Sequence, residues 1–144
     1  MRNARIVAGI LPLLVAGVLF ATPAQAADRF EAHLADTQSF EGVPGTFTSN
    51  IPGCPTGTST TERAMVQFRP GVFRGTRTFT CDSGIGSVTV NLSARFGEGG
   101  SVGTWAVVSG TGAFVAVHGA GKLVGTPLTD GILDTYTGTV TVVA

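Results

Sequence analysis

The stretch from Gly103 to Gly125 reads GTWAVVSGTGAFVAVHGAGKLVG: two extended runs of small and β-branched residues on either side of a glycine-containing turn. A nucleotide-binding P-loop needs a glycine five positions before its Gly-Lys pair and a Ser or Thr after the lysine. Ala116 and Leu123 occupy those two positions. The dinucleotide-binding pattern also fails, because Val115 stands where its third glycine would be. We therefore interpret the stretch as two strands joined by a tight turn.

The rest of the chain after Ala27 continues this pattern. No segment repeats apolar residues at helical spacing, whereas Thr, Val and Gly dominate and turn signals recur about every 8 to 12 residues. Such a pattern is typical of an all-β protein. We predict eight strands, at Phe30–Phe40, Thr46–Asn50, Thr61–Arg69, Val72–Cys81, Ser87–Phe96, Ser101–Ser109, Gly119–Gly125 and Leu133–Val143.

Alternation within these strands predicts one dry face and one wettable face. Apolar residues alternate with polar ones along Ser87–Phe96, and the last strand places Tyr136 on a face opposite a row of threonines. Around Trp105 both faces are apolar or small, which predicts a strand buried on both sides. Closure removes the exposed edges of a sheet, so we expect a closed or nearly closed antiparallel β-barrel of about eight strands, with a β-sandwich as the alternative.

The first 26 residues have the features of a secretory signal peptide. Arg2 and Arg5 form a basic start, the segment Ile6–Phe20 is apolar, and the sequence AQA at 24–26 suits a signal peptidase. The apolar run is shorter than the ~20 residues that span a bilayer. We predict cleavage after Ala26, a single domain over residues 27–144, and a secreted mature protein that is not in the membrane.

Charge and cysteine content restrict the function further. All nine acidic residues follow Ala26, whereas Arg2 and Arg5 precede it, so the mature chain is mildly acidic. It lacks the basic composition typical of nucleic-acid-binding proteins, and we expect no nucleic-acid partner. Cys54 and Cys81 are the two cysteines. An even number in an oxidising compartment predicts a disulfide bond between them, and such a bond stabilises the fold by on the order of 3 kcal/mol.

Several motifs in the second half of the chain resemble one known family. They are GTW at 103–105, SGTGAF at 109–114, HGAGKL at 118–123 and YTGTV at 136–140. These motifs resemble the allene oxide cyclase and dirigent-like barrels, and secreted actinobacterial proteins of that group in particular. The resemblance implies a β-barrel fold. The family includes a cyclase and proteins that steer radical coupling, but its catalytic residues do not align with this chain and none is carried over.

Few side chains are candidates for ligand binding. Arg77 shares one side of its predicted strand with Phe73 and Phe79, so its guanidinium could point inward and hold a carboxylate or sulfate. A solvated surface position is the alternative. Trp105 and Tyr136 carry polar groups on large rings, and either core packing or the lining of a cavity explains them.

The remaining ionisable residues point to no cofactor and no metal. His33 and His118 are too far apart in sequence to suggest a metal site without further ligands. Asp130 and Asp134 flank Gly131 and are interpreted as turn residues. The best general-acid candidate would be a buried carboxyl among the acidic residues of the first strand region. These are Asp28, Glu31, Asp36 and Glu41.

Two functions remain. We expect a non-catalytic barrel that binds a small apolar or amphipathic molecule, or a partner surface. The alternative is a cyclase-like enzyme whose shaped cavity folds a reactive substrate, a mechanism that needs few catalytic groups. Export argues against the enzyme, because biosynthetic substrates are mostly made in the cytoplasm. The sequence specifies neither the ligand nor the oligomeric state.

Overall fold

The computed structural model describes residues 27–143, with only the backbone of residues 62–69. Within that part of the chain, eight antiparallel strands form one closed barrel in which consecutive strands pair and the last strand returns to the first. The predicted all-β barrel is confirmed, while the signal-peptide prediction falls on residues 1–26, outside the described residues. The strands are β1 (Ala27–Ser39), β2 (Gly45–Ser49), β3 (Thr56–Arg69), β4 (Val72–Cys81), β5 (Ser87–Gly97), β6 (Gly100–Gly110), β7 (His118–Leu128) and β8 (Gly131–Val143).

The barrel closes through the pairing of β1 with β8. This ladder runs without interruption from the pair Ala27 and Val143 to the pair Ser39 and Gly131. Closure pairs β1 with β8 along the whole length of both strands, which removes the edge that an open sheet would expose there. No helix in the described residues has the length and apolar character needed to cross a membrane.

All eight predicted strands are present, but β3 begins five residues earlier than predicted, at Thr56. The added segment pairs with both neighbours, since Gly57 lies opposite Phe47 of β2 and Cys81 of β4. Gly57 and Ser59 point inward, and both are buried. Because the inward residues of this segment are small or polar, it has no apolar alternation that would predict a strand.

The strand that contains Trp105 is buried on one face, not on both as predicted. Trp105 points into the barrel, but Val102 and Val108 on the other face of β6 are 60 % and 51 % exposed. The described chain forms a single closed sheet, so the outer face of each strand has no second layer to cover it.

The connections at one end of the barrel form a closed end. The predicted disulfide between Cys54 and Cys81 is confirmed, and it ties the β2–β3 connection to the end of β4. Between β6 and β7 the chain makes a 3₁₀ turn at Gly112–Phe114, for which Gly112 adopts a positive φ of 59°. Phe114 and Val117 are buried beneath these connections. The opposite end of the barrel carries the β1–β2 and β7–β8 connections, and we call it the mouth.

Aromatic rings fill the middle of the barrel. Phe47, Phe79, Tyr136 and Trp105 form a chain of edge-to-face contacts with centroid separations of 5.4, 5.2 and 6.5 Å. The indole nitrogen of Trp105 donates hydrogen bonds to the carbonyl oxygens of Lys122 and Thr137, at 3.1 and 3.2 Å.

Two glycines of the returning strands explain how this indole fits. Trp105 lies opposite Gly121 of β7, and Gly121 lies opposite Gly138 of β8. A Cβ on Gly121 would collide with the backbone at Thr137 and Gly138. Gly121 therefore allows the backbones of β7 and β8 to approach closely at the position opposite Trp105.

Candidate ligand site at the mouth of the barrel

Five polar residues on inward positions form a buried layer between the aromatic core and the mouth. Asp36 and Ser59 are fully buried, while Arg77, Ser101 and Asp134 are 4 %, 4 % and 7 % exposed. The residues come from five different strands, β1, β3, β4, β6 and β8. Below they are called the polar cluster. A buried polar group is stable only if it is hydrogen-bonded or paired, so the partners of each residue decide what the cluster can do.

Strand register places three of these residues in one row across the barrel wall. Ser101 of β6 pairs with Gly125 of β7. Gly125 pairs in turn with Asp134 of β8, which lies opposite Asp36 of β1. Two carboxylates separated by almost a hundred positions in sequence are therefore neighbours inside the barrel.

Arg77 and Asp36 form a buried ion pair, with 2.6 Å between Nε and Oδ2. The other two guanidinium nitrogens donate to Thr61 Oγ1 and Ser59 Oγ, each at 2.7 Å. Ser59 in turn donates to the second oxygen of Asp36. Sequence alternation allowed an inward position for Arg77, with a solvated surface position as the alternative, and the structure places it inside the barrel. The structure adds that a carboxylate of the protein itself already balances its charge.

Asp134 is held by an amide and has no cationic partner of its own among the described side chains. Gln38 Nε2 donates to Asp134 Oδ2 at 2.5 Å and to Asp36 Oδ2 at 3.1 Å. Burial raises the pKa of Asp134 from 3.8 to about 6, and the negative charge of Asp36 adds to this shift, while Arg77 and Gln38 oppose it. The Asp134 carboxyl therefore changes its charge close to neutral pH.

Two glycines provide the space that the polar cluster occupies. A Cβ on Gly45 would lie against Ser59 Oγ and 2.9 Å from the Nη2 atom of Arg77. A Cβ on Gly125 would collide with Ser101 Oγ and lie 2.8 Å from Asp134 Oδ1. Any larger residue at either position would have to displace a member of the cluster. Neither glycine has a positive φ, so side-chain volume alone explains them.

A cavity of about 210 Å³ lies above the polar cluster and opens at the mouth. We call it the mouth pocket. Its floor is polar and includes Gln38, Thr61, Arg77, Ser101 and Asp134. Its walls are mostly apolar and include Phe40, Leu92, Ala94, Phe96, Leu123 and Ile132.

A second cavity, of about 50 Å³, lies toward the closed end and is lined almost entirely by apolar side chains. Trp105, Tyr136 and both disulfide cysteines line it. The Tyr136 hydroxyl is buried and has no hydrogen-bond partner among the described residues. Burial, followed by the charges of Asp134 and Asp36, raises its pKa well above the ordinary value, so it stays neutral.

The three predicted ligand-binding residues therefore do not share one cavity. Arg77 lines the mouth pocket, whereas Trp105 and Tyr136 line the smaller one. His33 and His118 are exposed. Among the described residues, no group of three or more His, Cys, Asp or Glu side chains could hold a metal ion.

Sequence reasoning missed the role of Asp134. The interpretation of Asp134 as a turn residue is wrong, because it lies in β8 and points inward, whereas Asp130 does belong to the turn. The signal was present: Asp134 is two positions before Tyr136 and shares its face. The Asp-Gly at 130–131 does form a turn, but β8 begins at Gly131, so the turn does not reach Asp134.

Comparison with known proteins adds no identification at this point. No protein-family model matches the chain, and neither a curated protein nor a solved structure matches it.

Arg77→Met should destabilise the protein by about 3–5 kcal/mol, because it leaves the Asp36 carboxylate buried without its partner. Adding Asp36→Asn should recover part of this loss, since the unpaired charge is removed. Chemical unfolding of the two single variants and the double variant measures the coupling. Arg95→Met is the control, because Arg95 is exposed on β5. Equal stability of Arg77→Met and the wild type would contradict a structural role for the ion pair.

The free energy of unfolding should depend on pH through Asp134. Its pKa is about 6 in the folded protein against 3.8 ordinarily, so the folded state binds more protons between those pH values. Stability should fall as pH rises through this window and level off above it, by about 3 kcal/mol in total. The Asp134→Asn variant should not lose stability in this way, because its amide does not titrate. Its stability relative to wild type should therefore increase between about pH 4 and pH 7, whereas Asp130→Asn should show no such trend.

Proposed function

We propose that the protein binds a small amphipathic molecule in the mouth pocket, with the polar group on the cluster and the apolar part against the walls. One observation supports this above all others: a single pocket combines a buried polar floor with apolar walls. Ligand sites in proteins commonly have this composition, with apolar lining and a few polar groups that orient the ligand.

The rim of the mouth supports an amphipathic ligand over a wholly polar one. Phe40 is 72 % exposed, and Val43, Phe96 and Leu128 are also exposed large apolar residues. Phe40 and Phe96 line the pocket as well, so the apolar surface continues from the walls to the outside. An alkyl or ring system lying along this rim would bury apolar surface, at about 0.8 kcal/mol per methylene.

The size of the pocket limits how much of the ligand can enter. Its 210 Å³ is below the ~300 Å³ typical of pockets that enclose a whole drug-sized ligand. We infer that the head group and the first part of the apolar chain enter, and that the remainder lies on the rim. We also propose that the chain is a member of the allene oxide cyclase and dirigent-like family and that the mature chain is exported. The disulfide is compatible with an oxidising compartment.

Three n-octyl amphiphiles with different head groups, octylamine, octanol and octanoate, provide the test. We expect at least one to bind, with amide chemical-shift changes concentrated at the residues lining the mouth pocket. Ala94→Leu fills the pocket from its wall and should weaken binding by about tenfold or more. Ala32→Val, which enlarges a residue lining the smaller cavity, should leave binding unchanged. Failure of all three amphiphiles to bind would refute the proposed function.

A second function, the cyclase-like enzyme, is favoured by Asp134. A carboxyl group with a pKa of about 6 at the floor of a pocket can act as a general acid near neutral pH. The epoxide 1,2-epoxyoctane, which has the same eight-carbon chain, tests this function. Protonation of its oxygen by Asp134 would promote opening of the epoxide ring. Enzymatic turnover requires a rearranged product that wild type forms and Asp134→Asn does not. If both wild type and Asp134→Asn return the epoxide unchanged, the enzyme hypothesis is refuted and ligand binding remains the proposed function.

A further inference from the structure

We propose that the polar group of the ligand is a protonated amine whose N–H groups donate to Asp134 and Ser101. This inference rests on the proposed function, because it specifies the ligand chemistry of the mouth pocket. It is drawn from the distribution of charge and hydrogen-bond partners in the polar cluster.

The charge balance of the pocket floor favours a cation. Arg77 is the one cationic side chain among the described residues that line the pocket. Its Nε lies 2.6 Å from Asp36, and the Asp36 oxygens accept from Arg77, Ser59 and Gln38. Asp36 is therefore satisfied within the protein. Asp134 remains as the carboxylate whose charge the described side chains do not balance.

The polar groups on the floor of the mouth pocket offer acceptor oxygens for hydrogen bonds from a ligand. Gln38 donates its Nε2 to both carboxylates, which fixes the orientation of the amide and leaves its carbonyl oxygen as an acceptor. The structure records donation from Gln38 to Asp134 Oδ2, but no donor among the described residues for Asp134 Oδ1. A bound amine would supply donors to such oxygens, whereas a bound carboxylate would bring a like charge close to Asp134.

Ser101 gives an independent indication of a ligand. It is 4 % exposed, it lines the pocket, and its hydroxyl has no hydrogen-bond partner among the described residues. Ser101 Oγ and Asp134 Oδ1 both lie within 2.8 Å of the point that a Cβ on Gly125 would occupy. Two oxygens without donors therefore converge above a glycine at the pocket floor. Both residues line the pocket, so a donor entering from it would satisfy both oxygens.

A primary ammonium group fits this arrangement better than a quaternary one. An alkylammonium head has three N–H donors in a compact volume, as the lysine side chain has. A trimethylammonium head has the same charge and no N–H donor. The comparison therefore separates hydrogen bonding to Asp134 and Ser101 from attraction to negative charge alone.

Calorimetric titration at neutral pH with octylamine, octanol, octanoate and octyltrimethylammonium tests the inference. We expect octylamine to bind tightest, by about tenfold or more, because charge-assisted hydrogen bonds exceed neutral ones. Asp134→Asn should weaken octylamine binding by about tenfold or more and so remove its advantage over octanol. Asp130→Asn is the matched control, since it removes one exposed carboxylate from the same β7–β8 hairpin and should have no effect. Ser101→Ala should weaken octylamine binding by several-fold.

The possible results separate the two proposals. Equal or tighter binding of octanol, octanoate or octyltrimethylammonium would overturn the amine assignment and leave the proposed function standing. An equal loss of octylamine binding in Asp134→Asn and Asp130→Asn would show attraction to net charge only, which also overturns it. If none of the four amphiphiles binds, the proposed function fails and this inference fails with it.

Discussion

Closure of the sheet through the β1–β8 ladder is the constraint on which the rest of this structure depends. An eight-stranded barrel has an interior just wide enough for side chains to fill, so every inward residue competes for a limited volume. The large rings of Phe47, Phe79, Tyr136 and Trp105 occupy the middle. Glycines or small residues must then stand beside them, as Gly121 and Gly138 do next to Trp105. The cavities that remain are small for the same reason.

The two ends of the barrel have different chemistry. The closed end is apolar, cross-linked by the disulfide and covered by the connection that contains Phe114. Near the mouth the interior holds an ion pair, a second carboxylate and hydroxyl groups in place of apolar side chains. Burying these groups is costly unless they are paired. Arg77 and Asp36 meet that requirement with each other. Among the described side chains, Asp134 accepts only from Gln38, and the Ser101 hydroxyl has no partner. Both Asp134 and Ser101 line the floor of the mouth pocket, and they make that floor polar.

Alternation predicted much of this arrangement correctly. It allowed an inward position for Arg77 because Phe79 shares its face. Together with the flanking turns, it identified all eight strands. It failed where inward residues are small or polar, as at Gly57 and Ser59, because such residues produce no apolar pattern. It failed for Asp134 because a nearby Asp-Gly turn offered a simpler explanation. The exposed outer face of β6 was mispredicted because small apolar residues occur on both of its sides.

By itself, the sequence determined the strand content and the disulfide and favoured a barrel over a sandwich, because strand periodicity, turn residues and cysteine count are local or compositional signals. Only the tertiary structure decided that Asp36 and Asp134 lie opposite each other, and that Arg77 forms its ion pair with Asp36. The same holds for Gly45 and Gly125, whose missing side chains leave room for the polar cluster. These relations depend on register between strands that are distant in sequence. Register is established by closure of the whole sheet, so no local segment encodes it.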